Sequence, residues 1–423
     1  MKRVGLLLVP LLLVARLGAT APVLGPEVSL PSFAGRDSYL PAAAFGALDG
    51  GGEYLVAWQA GRIGPGDLRS GLKTVQQGTV VAARLDAAGT VLDAAPIQLA
   101  ASVGMQAAPR VVFGGGEFLV VWQDLRNGVD WDVYAARVGP AGNVLDPNGV
   151  LIVGGVGNQA YPRATWDGSS FVVVWQDFRT QDYYQVFAAR LSAAGTVLDP
   201  DGGVLAASGR SQHWQELMPA VASREPGRSL LLYNIMTWSG SSGSSASVFL
   251  TDGGVQPGPS YLDAGNGPGR NAVPACLAAG QNTYLAAWRT DAPGGRGDAP
   301  NGSNAMVLNG GGVVTQRLYV SGANERIQAP DAVWDGQTYL TAWHETQLTS
   351  PNYGPYLVVE TSRITEGGAL AGPMQPVAGS LAAPAANPAV AADGVSTAII
   401  AYEKHPATAA QPVVIAVRVA TGR

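Results

Sequence analysis

A single cysteine, three histidines and a charged fraction of 13% mark what this 423-residue chain has little of. With Cys276 alone, no intrachain disulfide can form, so stability must come from packing and closure. Charged residues at roughly half their usual share exclude a disordered acidic chain and a coiled coil. The balance of 26 basic against 31 acidic residues lacks the basic footprint of a nucleic-acid binder. A mildly acidic surface disfavours anionic lipid as well. No segment sustains helical periodicity with caps, so almost no helix is expected. A long apolar run is also missing: Val4–Val14 falls short of the roughly 20 residues that cross a bilayer.

That run follows Lys2 and Arg3 and precedes small residues at Ala19 and Ala21, the pattern of a secretory signal. The expectation is a signal peptide over 1–21 and a mature chain over 22–423 with no membrane span. Such a chain is secreted or held in the cell envelope. Cys276 then reads as a small buried hydrophobe.

Glycine (56) and proline (29) are abundant, as a folded chain full of tight turns requires. Their placement repeats. Residues 109–155 align without gaps on 162–208, sharing Pro109 and Pro162, FLVVWQDLR and FVVVWQDFR, VYAARV and VFAARL, and GNVLDPNG and GTVLDPDG. Weaker copies start at Pro41, Pro219, Pro274, Pro330 and Pro388. An aromatic follows each proline: Trp58, Trp122, Trp175, Tyr233, Trp288, Trp343 and Tyr402. Two independent markers thus count seven units of roughly 58 residues.

Each unit holds four short strand candidates; in the second they are Arg110–Phe113, Phe118–Trp122, Val133–Val138 and Val150–Val153. The second strand is apolar on both alternating faces, so it needs cover from above and below. A stack of sheets provides that cover. Four strands per unit at this period is the signature of a β-propeller. The seventh unit ends after Val413–Val419 without its last strand, while Pro26–Leu30 precedes the first unit and resembles the missing one. The fold class expected is therefore all-β, a single seven-bladed propeller whose N-terminal strand completes the last blade.

The motif W-D-G-x-x-Y-L-x-x-W (Trp334–Trp343) and its companion V-W-Q-D-x-R…V-Y-A-A-R-V resemble repeats of secreted bacterial propeller proteins, mostly uncharacterised. The resemblance covers nearly the whole mature chain. It implies the fold and says little of function, because propellers host lectins, adhesins, hydrolases and lyases alike. Units four and five depart most, with Tyr233 for tryptophan and SVFLTD (247–252) and NAMVLN (304–309) in place of the A-A-R strand.

The recurring aromatics read as packing between neighbouring sheets. The pairs Asp124/Arg126 and Asp177/Arg179 read as local ion pairs, and LDPNG (145–149) and LDPDG (198–202) as turns rather than calcium loops. Variable loops between second and third strands are where function concentrates on a rigid scaffold. Two of them join aromatic and acidic groups: Asp130, Trp131 and Asp132, then Asp182, Tyr183 and Tyr184. The histidines fall on the same face. His344 and Glu345 follow Trp343, and Glu403 and His405 follow Tyr402; His213 lies too far round the ring to join them. Arg296-Gly297-Asp298 spells a cell-adhesion tripeptide that a Gly-rich chain produces by chance.

No nucleophile elbow, phosphate loop or zinc-protease signature occurs. The leading expectation is a non-enzymatic propeller that binds glycan or protein through its loop-rich face, as a monomer and without cofactor or metal. One alternative is a carbohydrate-active hydrolase or lyase using Asp130, Asp132, Glu345 or Glu403. It requires two carboxylates converging on the central funnel. Another is a structural surface repeat with no discrete ligand.

Overall fold

The computed structural model describes residues 23–48, 51–63, 75–101, 104–200, 202–207, 214–237, 243–252, 254–256, 260–261, 273–289, 304–319, 327–347, 356–380, 382–405 and 411–420. Residues 1–21, where the sequence leads one to expect a signal, His213 and the 296–298 tripeptide lie outside them. Seven separate antiparallel four-stranded sheets form, six of them with strands in sequence order, and the fourth adds a short strand at Ser260–Tyr261. No helix occurs among the described residues, so none there is long and apolar enough to cross a membrane.

The innermost strands are Asp37–Gly46, Gln106–Gly114, Gln159–Trp166, Trp214–Glu225, Val273–Ala279, Ile327–Trp334 and Ala385–Ala392. Each touches the next, and the last touches the first, so the sheets form a closed ring around a central channel. The chain is a seven-bladed β-propeller. Val23–Ser29 pairs antiparallel with Val413–Ala420 and supplies the outermost strand of blade 7, with Val28 opposite Ala416. Leu30 N–H extends the closure to the Val414 carbonyl at 3.0 Å. The Tyr402 hydroxyl donates to Glu27 Oε1 at 2.7 Å, and Lys404 pairs with the same carboxylate.

The apolar pattern has a simple cause. The core divides into seven clusters, each spanning two neighbouring blades; one joins Leu55, Ala57 and Val80 of blade 1 to Phe118, Val120 and Trp122 of blade 2. A second strand therefore feeds one cluster with its odd residues and the next with its even ones. Phe118–Trp122 is fully buried on both faces for this reason. The once-per-unit aromatics, Tyr233 and Tyr402 included, are all buried.

The repeating prolines mark a bulge. In every innermost strand the pairing register slips at the proline, as between Ala107 and Arg110 or Ala160 and Arg163. Just before it, Leu40, Ala108, Tyr161, Met218 and Asn387 take φ between 49° and 54°. These are left-handed conformations that a non-glycine residue holds only under constraint, at about 1–3 kcal/mol each. Such bulges bend a strand and re-aim its side chains. At the opposite end of the blades, Arg84, Arg137 and Arg190 each form a two-pronged ion pair with the aspartate nine residues on, Asp93, Asp146 and Asp199. Each also reaches the next blade, at Pro140 O, Ala193 O and Asp252. Asp146 of LDPNG and Asp199 of LDPDG are thus arginine acceptors, within turns.

A chain shortened to begin at Pro31 loses the strand that covers the Val413–Ala420 edge. Its melting temperature should fall and it should elute as oligomers on size exclusion, since an uncovered edge templates pairing with other chains.

Candidate functional site

Connections between blades and loops between second and third strands share one face. The contact of Asp130 Oδ2 with Gly157 N–H (2.9 Å) fixes this: it ties the blade 2 loop to the connection entering blade 3. Asn127 organises that loop. Its side-chain carbonyl accepts from the amides of Val129 and Asp130, and its Nδ2 donates to Asp130 Oδ1 (2.8 Å) and Asp132 Oδ2 (3.0 Å). Asp132 is buried. Burial, then the nearby charges of Asp130 and Asp124, push its carboxyl up. Trp131 is half-buried, its amide donating to Asn158 Oδ1. In blade 3, Asp182 is exposed, Tyr183 is half-buried, and Tyr184 packs on Phe178 with ring centroids 4.7 Å apart.

The Asp–Arg pairs hold their local ends of the blades. Asp124 accepts from Trp122 Nε1 (2.9 Å) and pairs with Arg126 (2.7 Å), whose guanidinium lies over the Tyr134 ring. Burial pushes the Asp124 carboxyl up, yet the hydrogen bonds and charge of Arg126 with the Trp122 donor outweigh it and hold it below its ordinary range. Asp177 repeats the arrangement with Trp175 and Arg179.

On four blades the residue after the ring aromatic has a different task. It crosses to the next blade and accepts the amide of the left-handed residue before the proline. Gln123 accepts from Tyr161 N–H (3.0 Å), Gln176 from Met218 (3.3 Å), His344 Nδ1 from Asn387 (3.0 Å) and Glu403 Oε1 from Leu40 (2.7 Å). His344 and Glu403 are thus the blade 6 and blade 7 members of a series that Gln123 and Gln176 begin on blades 2 and 3. Both are buried, as is Glu345. They form one connected network: Asn387 Nδ2 donates to Glu403 Oε1 (2.7 Å), and Glu403 Oε2 meets His405 Nε2 at 3.2 Å. The structure therefore brings His344, Glu403 and His405 together on blades 6 and 7. It leaves Asp130–Asp132 and Asp182–Tyr184 on blades 2 and 3. No group of three or more His, Cys, Asp or Glu able to hold a metal occurs among the described residues.

The channel itself holds residues that the motifs did not single out. Its cavity of about 680 Å³ is lined along the seven innermost strands, with Leu40, Met218 and Asn387 near the loop face and Phe45, Phe113 and Trp334 towards the other. Arg110, Arg163 and Asp331 are the charged side chains among its described lining residues. Each is the fifth residue of its strand and directly follows the bulge proline. Asp331 Oδ2 accepts from Val390 N–H of blade 7 at 2.9 Å. Burial raises its carboxyl, more than that amide and the charge of Arg110 lower it. Cys276 lies in the same wall, where burial pushes its thiol far up and keeps it protonated. One signal in the sequence pointed here: after the proline the seven units read Ala42, Arg110, Arg163, Ala220, Ala275, Asp331 and Ala389. Three charges interrupt a run of alanines.

No protein-family model matches this chain, and no curated protein matches it. Among solved structures it is similar to a protein of unknown function from Dyadobacter fermentans, with TM-score 0.54, 10% identity, and 94% of this chain and 99% of that one covered. A Penicillium chrysogenum α-L-arabinanase complexed with arabinobiose aligns over 94% and 98% at 12% identity, with TM-score 0.43. An α-L-arabinofuranosidase from Fusarium graminearum aligns over 94% and 97% at 11% identity, with TM-score 0.45. At such identities the likeness is one of fold.

His344→Ala should destabilise the protein by about 1–3 kcal/mol in urea unfolding, because a buried amide loses its acceptor. His344→Gln should recover most of that loss, since glutamine does the same work after Trp122 and Trp175.

Proposed function

We propose that the protein is a carbohydrate-binding propeller that admits part of a glycan into its central channel from the loop-bearing face. The observation that carries this reading is the channel: a cavity of about 680 Å³ with charged groups midway and aromatic rings towards its far end. That volume suits a small organic ligand and its few convergent polar groups, and it is too narrow for a folded protein domain. Trp131, Tyr183 and Tyr184 on the loop face add rings that can lie against sugar, beside the carboxylates of Asp130 and Asp182. Isothermal titration against a panel of oligosaccharides tests it. Thr165→Trp, at a half-buried position that lines the channel and belongs to no core cluster, should lower affinity at least tenfold. Binding unchanged by Thr165→Trp would place the ligand elsewhere.

A second reading, hydrolysis, is favoured by one observation: Asp331 is a channel carboxyl whose environment favours the protonated form, as a general acid needs. Against it, Asp331 is the one carboxylate among the described channel residues, and glycoside hydrolysis ordinarily uses two. If the protein cleaves glycans, Asp331→Asn should lower kcat by about a hundredfold or more with little change in KM.

A further inference from the structure

We infer that Arg110 and Arg163 form a clamp for the carboxylate or sulfate group of an acidic sugar inside the channel, an inference that rests on the carbohydrate reading above.

The two arginines differ from the others that hold this fold together. Arg84, Arg126, Arg137, Arg179 and Arg190 each grip an aspartate at 3.0 Å or less. Arg110 and Arg163, among the described residues, hydrogen-bond only to the carbonyl of the proline before them, at 2.8 and 3.1 Å. Neither forms an ion pair with a described residue. Asp331 is close enough to act on both through its charge, but its carboxylate is turned to the Val390 amide. Two guanidinium groups therefore share the channel with one carboxylate.

That arrangement is unfavourable without a further anion. Burial disfavours the charged form of both arginines, and for Arg163 the charge of Arg110 adds to it. A guanidinium does not shed its proton in compensation. The cost is therefore borne as electrostatic repulsion in a confined space, and a bound oxyanion removes it. Paired guanidiniums suit carboxylate and sulfate because each presents parallel N–H donors to two oxygens.

The blade architecture does not require these arginines. Blades 1, 4 and 7 carry Ala42, Ala220 and Ala389 at the same register, buried and well accommodated. Arginine at this position on two adjacent blades is an addition to the scaffold, placed where a ligand entering from the loop face would meet it.

The experiment compares oligogalacturonate, a sulfated oligosaccharide and a neutral arabinan oligosaccharide by isothermal titration, against wild type, Arg110→Ala, Arg163→Ala and the double variant. Melting curves are recorded with and without sodium sulfate or acetate. An acidic probe should bind wild type, and each single variant should weaken it roughly tenfold to a hundredfold while neutral-probe binding stays unchanged. Whichever acidic probe binds tighter identifies carboxylate or sulfate as the group held. The ligand-free variants should melt at or above the wild-type temperature; a clear fall in both would make the arginines structural and overturn the clamp. If neutral and acidic probes bind alike and the variants change nothing, the clamp is overturned and the carbohydrate reading stands. If no oligosaccharide binds but sulfate or acetate raises the melting point of wild type alone, the clamp stands and the carbohydrate reading falls. If neither sugars nor simple anions respond to the arginines, the clamp is overturned.

Discussion

Every blade of this protein is apolar on both faces, and that single constraint dictates the rest. A four-stranded sheet with two apolar faces is stable only between two others, and a row of such sheets leaves two faces uncovered until it closes. The seven inter-blade clusters are the result. Magnitudes agree on the order of importance. Truncating a buried tryptophan costs about 3–5 kcal/mol, whereas an exposed ion pair contributes about 0–1 kcal/mol. The arginines that reach the next blade at Pro140 O, Ala193 O and Asp252 therefore align sheets that packing has already joined. With no disulfide available, the N-terminal strand on blade 7 closes the ring by hydrogen bonds and packing alone.

Closure around an axis brings a second constraint. Seven innermost strands must converge without colliding, and each does so through a bulge at its proline, preceded on five of them by a left-handed residue. The amide this turns inward needs an acceptor, and at Tyr161, Met218, Asn387 and Leu40 the preceding blade provides one from the position after its ring aromatic. Gln123, Gln176, His344 and Glu403 differ in chemistry but do the same work. A histidine or glutamate that looks reactive in a loop-face motif is thus accounted for by geometry.

The same bulge sets up the channel. Because it turns the residue after the proline towards the axis, the identity of that residue decides what the channel offers. Alanine leaves it inert; Arg110, Arg163 and Asp331 give it charge. Much of the fold was legible in the sequence, since the prolines, the aromatics and the displaced N-terminal strand each have a local signature. The candidate site was less so. Asp130–Asp132 and Asp182–Tyr184 announced themselves as aromatic and acidic clusters along the chain. Arg110 and Arg163 sit alone in apolar strands, 53 residues apart, and nothing local distinguishes them from a surface arginine.

Sequence by itself determined the number of blades, the strand order within each and the closing of the ring, because those follow from periodic burial that each unit repeats. It also determined that Asp124 and Arg126, or Asp177 and Arg179, would pair, since two residues of separation at a strand end place them side by side. Only tertiary structure decided that His344 and Glu403 belong to the interfaces between blades and that Arg110, Arg163 and Asp331 line one channel. Those relations run across the ring between residues distant in sequence, where the distance is set by the closure of all seven sheets and by no pattern within any one of them.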